Sequence, residues 1–109
     1  MSTIFQVFLT VSAQKDLEEI FSFLVDNDSK NAAEYVLSSI EKKLETLREF
    51  PLRGVYPNEL AVLGILDYRE LFFKPYRIIY KVQDLKVYII LISDGRRDMQ
   101  TLLQKRILS

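Results

Sequence analysis

The chain has 109 residues, 49% hydrophobic and 28% charged, with 15 Lys/Arg against 15 Asp/Glu, which fits one globular domain over residues 1–109 rather than a disordered or repetitive protein. Neither cysteine nor histidine is present, which excludes a disulfide framework and removes the usual ligands of zinc, haem and transition metals; carboxylate-bound magnesium stays open, and no cofactor is expected. The N-terminal MSTIFQVFLTVSA lacks a basic start, and no apolar run approaches the roughly 20 residues of a membrane helix, so a cytoplasmic protein without membrane contact is expected.

Residues 4–11 alternate, with Phe5, Val7, Leu9 and Val11 on one side and Gln6 and Thr10 on the other, which suits a strand. Ser12 is placed to cap a helix whose apolar stripe is Ala13, Leu17, Ile20, Phe21 and Leu24, with Lys15, Asp16, Glu18 and Glu19 opposite. The run VDNDSKN interrupts it, and Asp28 or Ser29 offers the cap of a second helix. That helix carries Ala33, Val36, Leu37, Ile40, Leu44 and Leu47 and ends by Phe50, because Pro51 disfavours helical geometry in the residue before it. Two such helices make a hairpin that must lay both stripes on a shared apolar surface.

After a loop punctuated by Pro51, Gly54, Pro57 and Gly64 come three strand candidates, at 67–73, 76–83 and 87–93. The short breaks KP and QDLK predict an antiparallel meander. VYIILI is apolar on both faces, as a central strand would be with the helical hairpin on one side and the tail on the other. In that tail Met99, Leu102, Leu103 and Ile107 fall at helical spacing over 98–107, with Asp98 as the expected N-cap. The expected fold is α+β, in the order β-α-α-β-β-β-α, with the helical hairpin packed on an antiparallel sheet.

Charge is sorted along the chain. Residues 1–50 hold five Lys/Arg against nine Asp/Glu, and residues 51–109 hold ten against six. A basic half can seat a phosphate or an acidic partner segment, although an imbalance of this size also arises by chance.

The segments AQKDLEEIFSFL, LREFPLRGVYPNEL, YRELFFKPYRIIYKV and VYIILISDGRRDMQTLLQKR, in this order and in a chain of this length, resemble the RelE/ParE superfamily of toxins from bacterial type II toxin-antitoxin modules. The resemblance implies a growth-inhibiting toxin silenced by a co-expressed antitoxin that wraps it with an extended or helical segment. Within the superfamily, RelE-like members cut messenger RNA on the ribosome, whereas ParE-like members are not nucleases and poison DNA gyrase.

Cutting RNA at the 2′-hydroxyl needs a base, an acid and cations for the charge on phosphorus. By resemblance, Arg77 in PYRIIY and Arg97 in GRRD match arginines that RelE-like nucleases hold around the scissile phosphate, and Arg69 stands near where they place a lysine. With Arg96, these residues are the candidate phosphate- or target-binding set, expected to converge on one pocket. The acid and base are missing. RelE-like nucleases carry a tyrosine, or a histidine with a tyrosine, after the GRR-like turn, where this chain reads MQTLLQKRILS. Glu70 or Tyr68 could substitute, yet Glu70 beside Arg69 reads equally as half of a surface ion pair. The deficit favours gyrase as the target over ribosome and messenger RNA, with a non-toxic degenerate member as a third reading.

Structural duties compete with these roles. Arg77 can pair across the sheet with Glu70 or Asp67; Arg96 and Arg97 can be neutralised by Asp94 and Asp98; Gly95 can supply a positive φ. Tyr76 and Tyr80 fit the core better than a base-stacking role. For the antitoxin, Phe23, Val25 and Tyr35 lie off the helix stripes and would line an apolar groove between the helices and the tail. Phe72 and Leu103 are the further candidates there.

Overall fold

Thr10, not Ser12, starts the first helix of the computed structural model, which describes residues 3–108. Its hydroxyl oxygen accepts from the Ala13 backbone N–H at 3.1 Å and donates to the Ile89 carbonyl at 2.9 Å. One side chain therefore caps the helix and ties it to the sheet. The first strand is accordingly short, β1 Gln6–Leu9, and α1 runs Val11–Asn27. Ser29 caps α2, Lys30–Thr46, by accepting from the Ala32 N–H at 2.9 Å. A short helix not expected from the punctuated loop, α3 Asn58–Ala61, precedes β2 Tyr68–Phe73, β3 Tyr76–Gln83 and β4 Lys86–Asp94. Helix α4 spans Met99–Leu108.

The sheet order is β1-β4-β3-β2. The meander β2-β3-β4 is antiparallel as its short turns require, but β1 pairs with β4 in parallel, so the sheet as a whole is mixed. The hairpin α1–α2 supplies the crossover that a parallel pair needs. Its stripes, Ala13, Leu17, Ile40, Leu44 and Leu47, pack on Leu71, Ile78, Tyr80, Val87, Ile89 and Ile92, each large apolar side chain contributing about 1.5–3 kcal/mol. On the other face Leu60 of α3 and Met99 and Leu103 of α4 cover Ile79 and Leu91. Strand β4 is thus buried on both faces, which is why its sequence is apolar without alternation.

Between Ile79 and Tyr80 of β3 the register against β4 shifts, leaving Ile90 as the extra residue. Pairing with β1 stops at Ile89. The next backbone groups on that edge are met by an ion pair: Asp16 accepts from the Ile92 N–H at 3.0 Å and Arg106 donates to the Ile90 carbonyl at 2.7 Å. Arg106 also holds Asp16 at 2.8 Å, joining α4 to α1. No helix among the described residues is long and apolar enough to cross a membrane.

Candidate functional site

Strand alternation and register decide where each candidate arginine points. Arg69 stands opposite Tyr80, whose side chain is in the core beneath the helical hairpin, whereas Arg77 stands opposite Phe72, on the face that α3 and α4 cover. The expected single pocket of Arg69, Arg77, Arg96 and Arg97 does not form, because the sheet lies between the first two.

Arg69 closes the loop before β2. It donates to the carbonyls of Leu52 at 3.2 Å and Gly54 at 2.9 Å and to the Tyr56 hydroxyl at 3.1 Å, with its guanidinium 4.6 Å from the Tyr56 ring centroid. Tyr80 completes the clasp by donating to the Pro51 carbonyl and accepting from the Gly54 N–H. A β-carbon on Gly54 would lie 2.6 Å from the Tyr80 hydroxyl and 2.7 Å from the Glu70 carbonyl, so the close approach requires glycine there.

Arg77 is half of the cross-strand arrangement with Glu70 and more. Its Nη1 and Nη2 form a two-pronged contact with Glu59 of α3, both at 2.7 Å, and its Nε meets Glu70 at 2.9 Å. Glu70 is 4% exposed, and it is not the surface partner of Arg69. The Arg77 hydrogen bonds hold the Glu59 carboxyl below its ordinary value; burial pushes Glu70 up, against the pull of Arg77. Both carboxylates raise the pKa of Arg77 beyond its already basic range. Two carboxylates face one guanidinium, so a phosphate approaching this cluster meets no uncompensated positive charge. Sequence reasoning missed Glu59, whose only signal was PNEL, a proline before the first turn of a short helix.

Arg96 and Arg97 follow β4 on the surface. Asp94 binds Arg96 through its side chain at 2.6 and 3.0 Å and through its backbone N–H at 2.9 Å, and these bonds lower the Asp94 pKa. The Arg97 guanidinium makes no hydrogen bond or ion pair among the described residues. Asp98 caps α4, accepting from the Thr101 N–H at 3.2 Å and the Thr101 hydroxyl at 2.7 Å, which lowers its pKa. Gly95 does not adopt a positive φ; its lack of a side chain lets the turn lie on Arg77, whose Cδ would be 3.0 Å from an added Cβ.

A groove of about 650 Å³ runs from this turn along α1. Ile20, Phe23, Leu24, Val36, Tyr76 and Ile92 give it an apolar floor, with Asp16 and Glu19 on one rim and Asp94, Arg96 and Arg97 on the other. Phe23 is 64% exposed, and Tyr35, 67% exposed, leans on Phe73 with ring centroids 6.1 Å apart. The groove lies between the hairpin and the ends of β3 and β4, not between the helices and the tail. Leu103, 1% exposed, belongs to the core under α4 and is unavailable to a partner. Phe72 is exposed but lies on the far face from Tyr35 and Phe73. A second groove, of about 700 Å³ between Ile4, Glu45, Arg48, Phe50 and Arg53, contains none of the candidate residues.

A helical hairpin over a four-stranded mixed sheet, with arginines at the turn leaving its last strand, defines a RelE/ParE-type toxin fold. The structure is similar to the chromosomal ParDE system from P. aeruginosa, with a TM-score of 0.71 and 20% identity over 85% of this chain and 98% of that one. It is also similar to the RelBE2 toxin-antitoxin complex from Mycobacterium tuberculosis, with a TM-score of 0.63 and 17% identity over 86% and 94% of the two chains. Residues 7–99 match the family described as ParE toxin of type II toxin-antitoxin system, parDE, and the chain belongs to that family. Toxin ParE3 of Caulobacter vibrioides is 28% identical over 101 residues, covering 93% of this chain and 97% of that protein.

Proposed function

We propose that this toxin arrests growth by acting on DNA gyrase in the cytoplasm without cutting nucleic acid, and that a cognate antitoxin silences it. The observation that carries this reading is the state of Arg77. A nuclease of this fold needs that guanidinium at a scissile phosphate, whereas here Glu59 and Glu70 occupy it and Arg69 is on the other face of the sheet. The proton carriers are equally short. Glu70 is enclosed and bound to Arg77, and the segment after Arg97 holds neither tyrosine nor histidine. Membership of the ParE branch supports gyrase as the target, in line with the superfamily resemblance, and leaves Arg97 as the cation best placed to meet it.

The groove along α1 is the proposed antitoxin seat. Both similar structures are of toxin-antitoxin systems. A disordered segment with an apolar face over Phe23 and Leu24 and an acidic residue at Arg97 would fold as it binds. Brief induction in growing cells tests the target. DNA-damage signalling and altered plasmid supercoiling without new message ends support gyrase; primer-extension stops within codons support RNA cleavage; the absence of both supports a non-toxic member.

A further inference from the structure

Phe8, Tyr88, Lys81 and Tyr68 stand directly opposite one another across β1, β4, β3 and β2, forming one row over the whole sheet. Their strand neighbours Val7, Val87 and Val82 pack toward the α1–α2 hairpin, so the row is on the opposite face. Helices α3 and α4 cover Ile79 and Leu91 on that face, and Tyr68 packs against that cluster, but the rest of the row is left open: Phe8 is 41% exposed, and Tyr88 and Lys81 are partly exposed. The Phe8 and Tyr88 rings are stacked at 5.8 Å and 23°, and the Lys81 ammonium lies 5.8 Å from the Tyr68 ring centroid. The adjoining row is Gln6, Lys86 and Gln83, all exposed. These two rows hold two cations, two amides and three aromatic rings, and no acidic residue.

We propose that this half-face binds single-stranded nucleic acid. The stacked Phe8–Tyr88 pair gives bases an aromatic platform at the open end of the row, with Tyr68 about 10 Å from Tyr88 across two strands, while Lys81 and Lys86 meet the phosphates between and beside them. Rings that present their faces on an open sheet accept any base, and the glutamine amides can reach base edges or sugar hydroxyls without demanding one sequence. The site binds and does no chemistry. It shares no residue with the arginine turn or the α1 groove and does not rest on gyrase being the target.

Fluorescence anisotropy of the full-length chain with labelled oligothymidylate and oligouridylate of about 12 nucleotides tests the proposal and separates DNA from RNA. Phe8→Ala and Tyr88→Ala are each expected to weaken binding about 5- to 150-fold. Lys81→Gln, which removes no packed ring, is expected to flatten the dependence of log K on log salt by about 0.7. Circular dichroism establishes that each variant is folded. Absence of binding by the parent chain, or binding unchanged in both Phe8→Ala and Lys81→Gln, overturns the proposal. So does a concentration-dependent dimer that Phe8→Ala converts to monomer in sedimentation, since the face would then belong to a second copy.

Discussion

Arg69 and Arg77 occupy adjacent strands and point to opposite faces of the sheet, one into the clasp around Gly54 and Tyr56, the other into the carboxylates of Glu59 and Glu70. The separation follows from the two-residue turn at Lys74 and Pro75, which pairs Phe72 with Arg77 and Arg69 with Tyr80. Arg77 therefore serves the fold first. Its removal leaves Glu70 enclosed without a counter-charge, and Arg77→Ala is expected to cost about 3 kcal/mol in urea unfolding. Pairing it with Glu70→Gln should recover part of the loss, a coupling that an exposed ion pair would not give.

Acid sensitivity has a defined sign. Glu59 titrates below its ordinary 4.5 in the fold, so its contribution is complete above that value and is lost as pH falls through the folded-state pKa. Glu70 is shifted upward and works the other way, favouring the fold while protonated and costing stability as pH rises through its folded-state pKa. Glu59→Gln should flatten the fall in stability below about pH 4.5, read from urea midpoints across pH. Glu70→Gln should leave that acid limb in place.

The Asp16–Arg106 pair seals the edge of β4 beyond the end of β1. Asp16→Ala strands the Ile92 N–H and the half-buried Arg106, with an expected cost of about 2 kcal/mol. Native-state hydrogen exchange should show faster exchange at Ile92 and along α4, with the amides of β3 little changed.

At Gly54 an added methyl has nowhere to go, since the Tyr80 hydroxyl and the Glu70 carbonyl are both within 2.7 Å of it. Gly54→Ala is expected to destabilise by about 1–3 kcal/mol and to break the hydrogen bonds of Tyr80 to the 51–54 loop. Thermal unfolding provides the check.

Phe23 is the most exposed ring in the α1 groove. Phe23→Asp should weaken antitoxin binding by roughly 30-fold or more, the loss of a central aromatic anchor, and Tyr35→Asp should weaken it less. Titration calorimetry with the cognate antitoxin measures both. The free chain, with this surface open, is expected to be less soluble than the complex.

Much of this architecture was legible in the residues. The 3.6-residue stripes from Ala13 to Leu24 and from Ala33 to Leu47 located the hairpin, and the short breaks in the meander gave its antiparallel pairing. What stayed hidden depended on contacts between distant residues. Thr10 caps α1 because β1 ends at Leu9, and only the pairing with β4 shows where β1 ends. Asp16 and Arg106 meet across 90 positions, and Glu59 reaches Arg77 from a four-residue helix too short to leave a periodic trace. Leu103 and Phe72 looked alike as apolar candidates until α4 enclosed one and β2 exposed the other. The opposed arginines are the instructive case: turn length already fixed their parity, and the motif resemblance alone obscured it.

The most direct test places the purified chain in two parallel reactions, one with DNA gyrase, plasmid and ATP, the other with ribosomes programmed by a defined message. The expected result is inhibited supercoiling or gyrase-linked DNA breaks at near-stoichiometric toxin, weakened by Arg97→Ala, with the message intact. Cleavage of the message in the ribosomal reaction, abolished by Arg77→Ala in a variant that remains folded, would contradict the assignment of Arg77 to the fold and of this chain to gyrase.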